Sequence, residues 1–210
     1  MSSITFTLHV KLARYCIIKK PCISCINKIF LLASSIIFII FSLLMKSSSD
    51  ILNASVYNIL HYEFLFSFNR YQMIMNAWSI EEINAAIINT WLDFGWLVGY
   101  GGLVITLNTL LSEFVENTRK KLIQFAALSG FFAMVFDIFE NILLLNLLYE
   151  TRFVFSYMPL IVSIIATIKF MFVGYGIAAF FAVLIEKIIK ITKRKHLKII
   201  FHILCWKARR

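Results

Sequence analysis

The sequence predicts an all-α integral membrane four-helix bundle, with the N- and C-termini cytoplasmic and interfacial helices in the first outer segment. Three observations predict it. The chain is 60% hydrophobic and only 15% charged, with a mean hydropathy of +0.83, whereas soluble domains are about a quarter charged. Four apolar runs, at residues 29–45, 89–111, 122–148 and 159–185, approach or exceed the ~20 residues that cross ~30 Å of hydrocarbon. Lys and Arg alternate across those runs: five before residue 29, two in 46–88, three in 112–121, one in 149–158 and nine after Glu186. High, low, high, low, high places both ends and the middle loop in the cytoplasm.

The net charge of +10 raises the question of nucleic acid. Its placement at the ends of apolar runs answers it: this is a membrane-topology pattern, with anionic lipid headgroups as the partner of the basic termini. With 7 Gly and 2 Pro, little interrupts long helices. No polar segment reaches the ~50 residues of a small soluble domain. The organisation is a basic leader (1–28), a membrane domain (29–185) and a basic tail (186–210).

The first run follows a basic leader too long for a signal peptide and has no convincing small-residue cleavage site, so it reads as a retained helix. The outer segment after it is rich in aromatic residues, among them Tyr57, Tyr62, Phe64, Tyr71 and Trp78. Aromatic side chains favour the headgroup layer, so 50–68 reads as one or two interfacial helices, with an irregular loop as the alternative. Ser79-Ile80-Glu81-Glu82 is a capping box and predicts a helix from Ile80 that can run into the second span. The small-residue pairs Gly95/Gly99, Ala126/Gly130 and Ser163/Thr167 predict close helix packing within the chain. The tail alternates Ile189, Ile200 and Trp206 with Lys190, Lys193 and Lys198, the pattern of a basic amphipathic helix or of a solvated positive tail.

Function is indicated by the charges inside the spans. The third carries Asp137, Glu140 and Asn141, the fourth Lys169, and the second Asp93 with Tyr100 seven residues on. An intramembrane charge costs several kcal/mol and calls for a partner or a function. Around the helix axis Glu140 lies about 60° from Asp137 and Asn141 about 40° on the other side, so this face points into the bundle. Counting inward at ~1.5 Å per residue puts Asp137, Glu140 and Lys169 at about 16, 12 and 15 Å, one common level. A short loop joins the two spans, so they are expected to be antiparallel neighbours, with Lys169 paired to Asp137 or Glu140. Three carboxylates then face one ammonium. The surplus is expected to be protonated, to reach water, or to hold a cation. Asp137 and Glu140 would bind the positive group or exchange protons, Lys169 would be the counter-ion, Asn141 would orient it, and Asp93 with Tyr100 would line the entrance. The expected ligand is a small cation or a lipid-like molecule. Charges acting only as helix glue in a structural or assembly subunit, and proton transfer on a lipid substrate by an enzyme, stay open beside it.

The pattern Asp137-x-x-Glu140-Asn141 with Lys169-Phe170 and Asp93…Tyr100 resembles that of a family of uncharacterised bacterial four-helix integral membrane proteins, over about residues 78–185. The resemblance implies a bundle in a bacterial inner membrane and no particular activity. A looser likeness is to the emopamil-binding sterol isomerases and the sigma-2 receptor, which have acidic residues in an intramembrane pocket. The His-rich pattern of the isomerases is missing: His9, His61, His196 and His202 all lie outside the spans. Cys22-x-x-Cys25 and His202-x-x-Cys205 together have the composition of a tetrahedral zinc site, though nothing in the sequence brings the two ends together. As cytoplasmic residues the cysteines are expected to be free thiols, and no metal or other cofactor is predicted. There is no Walker loop, HExxH or GxSxG.

Overall fold

The computed structural model describes residues 23–115, 117–149 and 155–207. Six helices follow in chain order: α1 (Ile23–Ala54), α2 (Ile59–Glu63), α3 (Phe68–Ala77), α4 (Ile80–Ser112), α5 (Asn117–Leu148) and α6 (Met158–Lys207). Four of them, α1, α4, α5 and α6, are long and apolar enough to cross a membrane. Their outward faces carry large exposed apolar side chains such as Ile29, Leu43, Phe139 and Met171, the surface that a bundle presents to lipid rather than to water.

Helix α4 begins where the capping box requires. The Ser79 hydroxyl accepts the Glu82 N–H at 3.3 Å, and the Glu82 carboxylate accepts the Ser79 N–H at 2.6 Å. The helix then runs unbroken for 33 residues. Helix α1 extends nine residues beyond the end of its apolar run, to Ala54. Hydropathy marks where apolar side chains stop, not where backbone hydrogen bonding stops. The polar turn at its end is held by α4, because the Asn89 amide donates to the Ser48 and Ser49 hydroxyls at 3.1 and 2.9 Å.

The four long helices pack in series, α1 on α4, α4 on α5 and α5 on α6, with a lighter contact of α4 to α6. Small residues set the distances. A methyl group on Gly99 would meet the Phe38 backbone at 2.6 Å, and one on Gly130 would meet the Gly101 carbonyl at 3.0 Å. The Gly95/Gly99 pair therefore seats α1 on α4 within the chain.

The segment between α1 and α4 is a packed cap. Tyr62, Leu65, Tyr71, Ile74 and Trp78 are buried. The Tyr71 hydroxyl donates to the Leu147 carbonyl at 3.0 Å, and Trp78 Nε1 donates to the Tyr57 carbonyl at 2.9 Å. Three aromatic side chains expected at a headgroup layer thus sit inside the protein, because their polar tips find backbone carbonyls there. At the other end α6 shows no break at residue 186 and continues to Lys207, 50 residues in all. Cys22 and the side chains of Cys25, His202 and Cys205 lie outside the described residues, as does the leader before residue 23; its last six residues, 23–28, form the start of α1.

Candidate functional site

Five elements deliver side chains to one level of the capped half. Helix α5 places Asp137, Glu140 and Asn141 on its inner face, all three almost fully buried. From α6, Lys169 reaches across to them. Its ammonium lies 3.0 Å from Asp137 Oδ1 and 2.7 Å from Glu140 Oε2. The expected pairing is present with both acids at once, and the common depth counted along the two helices is what permits it. From α4, the Tyr100 hydroxyl donates to Asp137 Oδ2 at 2.7 Å. Both oxygens of Asp137 are therefore satisfied, one by an ammonium and one by a phenol. Glu140 is less complete: its contact with Lys169 is an ion pair without hydrogen-bond geometry, and its Oε1 is buried with no hydrogen-bond partner.

Two results differ from the sequence reading. Asn141 does not orient Lys169; its amide donates to Asp93 Oδ2 at 2.8 Å and so joins α5 to α4. The 40° that separates Asn141 from Asp137 turns it away from α6 and toward α4. The second difference is a fourth carboxylate. Glu63, the last residue of α2, points into the bundle with Oε2 3.9 Å from Lys169. That oxygen is buried and has no hydrogen-bond partner. A local clasp puts it there. The Ser163 hydroxyl of α6 accepts the Phe66 N–H at 2.9 Å and lies 3.1 Å from the Glu63 carbonyl. Phe66 has φ 54°, a left-handed conformation in which a non-glycine residue needs such outside support.

Glu63 sits between the apolar runs, so a search for charges inside the spans does not reach it. A signal existed: it is the only acid from Ile51 to Ile80, set among Tyr57, Tyr62, Phe64 and Phe66.

Beside the cluster lies a cavity of about 400 Å³. Its polar lining includes Glu63, Asp93, Asp137, Asn141 and Lys169; Glu140 is not part of it. Trp96 and Tyr100 form one wall, their rings 4.8 Å apart, and the Trp96 N–H is held by Ser42 of α1 at 3.0 Å. Burial pushes the Glu63 carboxyl above the usual carboxylate range. The Lys169 ammonium opposes that rise and Asp137 adds to it. Four carboxylates around one ammonium cannot all stay ionised and unpaired in an apolar surround. The arrangement can hold protons, or it can hold a cation. Among the described residues no three His, Cys, Asp or Glu side chains converge as metal ligands.

Comparisons with family models, curated proteins and solved structures returned no match to this chain.

Proposed function

We propose that the protein binds a small cationic or lipid-like ligand, in exchange with protons, in the cavity of the capped half. The observation that carries this reading is the surplus of acid over base beside open volume: Glu63 and Asp93 face a cavity of about 400 Å³ after Asp137 and Glu140 have taken Lys169. Pockets of this size hold small ligands, and a few convergent polar groups in an apolar wall fix their orientation. Glu63, pushed toward its neutral form by burial, takes up a proton when no cation is near. Binding a cation would release it.

The alternation of Lys and Arg supports cytoplasmic termini, with the cap and the cavity mouth on the outer side and the basic ends on anionic headgroups. The resemblance noted above favours a bacterial inner membrane. In a variant with Cys16, Cys22, Cys25 and Cys205 replaced by Ser, a membrane-impermeant maleimide applied to intact cells should label Ser55→Cys in the cap. Labelling only after lysis would reverse the topology.

The ligand reading is tested with purified protein in lipid nanodiscs. An alkylamine that binds the folded state should raise the unfolding midpoint with its concentration, and Asp93→Asn should remove the rise. No shift in the wild type would sink the reading. Infrared titration in liposomes checks the proton part, which requires a protonated carboxyl near neutral pH. A structural or assembly subunit is the second reading, and the fully paired Asp137 favours it. In that case no amine would shift the unfolding midpoint or alter the carboxyl stretch of the wild type, and Asp93→Asn and Glu63→Gln would leave that lack of response unchanged.

A further inference from the structure

The four carboxylates divide into two kinds. Asp137 and Glu140 are committed to Lys169 at 3.0 and 2.7 Å. Glu63 and Asp93 both line the cavity: the first has a buried oxygen without a hydrogen-bond partner, and the second has Asn141 on Oδ2. Ionised carboxylate oxygens are acceptors only, so a hydrogen-bond donor completes them, and beside a surplus of negative charge a cationic N–H donor suits them better than a neutral O–H.

The cavity wall has a second character. Helix α1 packs along α4 and makes no comparable seam on α6, yet the cavity is lined by both α1 and α6. It therefore occupies the gap between them. The edge of that gap is apolar: Met45 of α1, Leu60 of α2, and Phe170 and Val173 of α6. Leu60 is 51% and Phe170 43% exposed. An apolar edge leading to a carboxylate floor complements an amphiphile, not a fully hydrated ion.

We infer that the ligand is a primary or secondary ammonium amphiphile, its head seated between Glu63 and Asp93 and its chain lying in the gap between α1 and α6. This rests on the ligand reading above and adds a head-group preference and a route from the bilayer. A trimethylammonium head keeps the charge but has no N–H to give. Losing one charge-assisted hydrogen bond of about 1.5–3 kcal/mol weakens binding by about tenfold or more.

Trp96 provides the test, since it lines the cavity. With Trp78→Phe, Trp91→Phe and Trp206→Phe in place, Trp96 is the sole indole. In nanodiscs, a long-chain primary amine brominated in mid-chain should quench it saturably at low mole fraction. The matching trimethylammonium compound should need about tenfold more. Asp93→Asn and, separately, Glu63→Gln should each weaken the amine response. Two variants are used so that a folding defect in one, detected by circular dichroism, leaves the other as the test.

Equal quenching by the two heads would overturn the head-group assignment. If butylamine raises the unfolding midpoint but brominated chains quench Trp96 no more than they quench the buried Trp78 in its own single-indole variant, the cavity binds a soluble amine and the bilayer route is wrong. If neither amine acts, the ligand reading falls with it.

Discussion

The two halves of the bundle solve the same problem in different ways. In the half away from the cap, buried polar side chains are neutral and several donate to backbone carbonyls, although Asn108 Oδ1 is buried without a hydrogen-bond partner. Asn108 donates to the Val104 carbonyl at 2.9 Å and to the Gly176 carbonyl at 3.2 Å, Ser129 donates to Ala126, and Thr106 to Gly102. Helices approach closely there, through Gly101, Gly130 and Gly176. In the capped half the buried and half-buried groups include ionisable side chains drawn from four elements, and they are set beside open volume. The first half shows that this sequence can close a helix seam with amides, hydroxyls and glycine. The charges of the second half are therefore not the only way this sequence can close a seam, and their place beside a cavity is what the proposed ligand site would use.

The largest effect expected is from Lys169→Met, which strands Asp137 and Glu140 without their cation. Such a loss costs about 3–5 kcal/mol, read by denaturant titration of the reconstituted protein. Adding Asp137→Asn should recover part of it. If the two costs simply add, the pair is not coupled and the contrast between the halves weakens. Tyr100→Phe removes the phenol from Asp137 at a cost of about 1–2 kcal/mol, near the upper end for hydrogen bonds between membrane helices. Asn108→Ala probes the neutral half, where about 0.6 kcal/mol is typical. A larger cost for Asn108 than for Tyr100 would invert the comparison.

The smallest effect is on pH dependence. The folded state raises the Glu63 carboxyl above its ordinary 4.5, so the folded protein binds more protons there than the unfolded chain does. Its contribution to stability is complete below pH 4.5 and is lost as pH rises through the folded value. Glu63→Gln should flatten that decline, whereas Asn108→Ala should leave its slope unchanged.

Much of this was legible in residues. The four long helices follow from hydropathy and length, the start of α4 from Ser79 and Glu82, and the Lys169 pairing from counting rise per residue down two antiparallel helices. Each depends on one helix or on one short connection. Glu63 was not legible as part of the site, because its position depends on Ser163, 100 residues away, and on the left-handed turn at Phe66. That Asn141 meets Asp93 and not Lys169 is hidden in the sequence for a related reason. Periodicity says which residues share a face, but which neighbouring helix meets each edge of that face depends on how the spans are arranged around it. The helical extent of α1 beyond its apolar run likewise reflects a tertiary contact, the Asn89 amide on Ser48 and Ser49.

Helix α6 carries Lys169 and then continues without a break to Lys207. Those 38 residues make a rod of about 57 Å, and a tilt of about 5° pivoting at the ammonium would swing its far end by about 5 Å. Among the described residues the one buried cation therefore stands at the fulcrum of a lever, and a change in the charge around it would be magnified into a displacement at the far end of the helix.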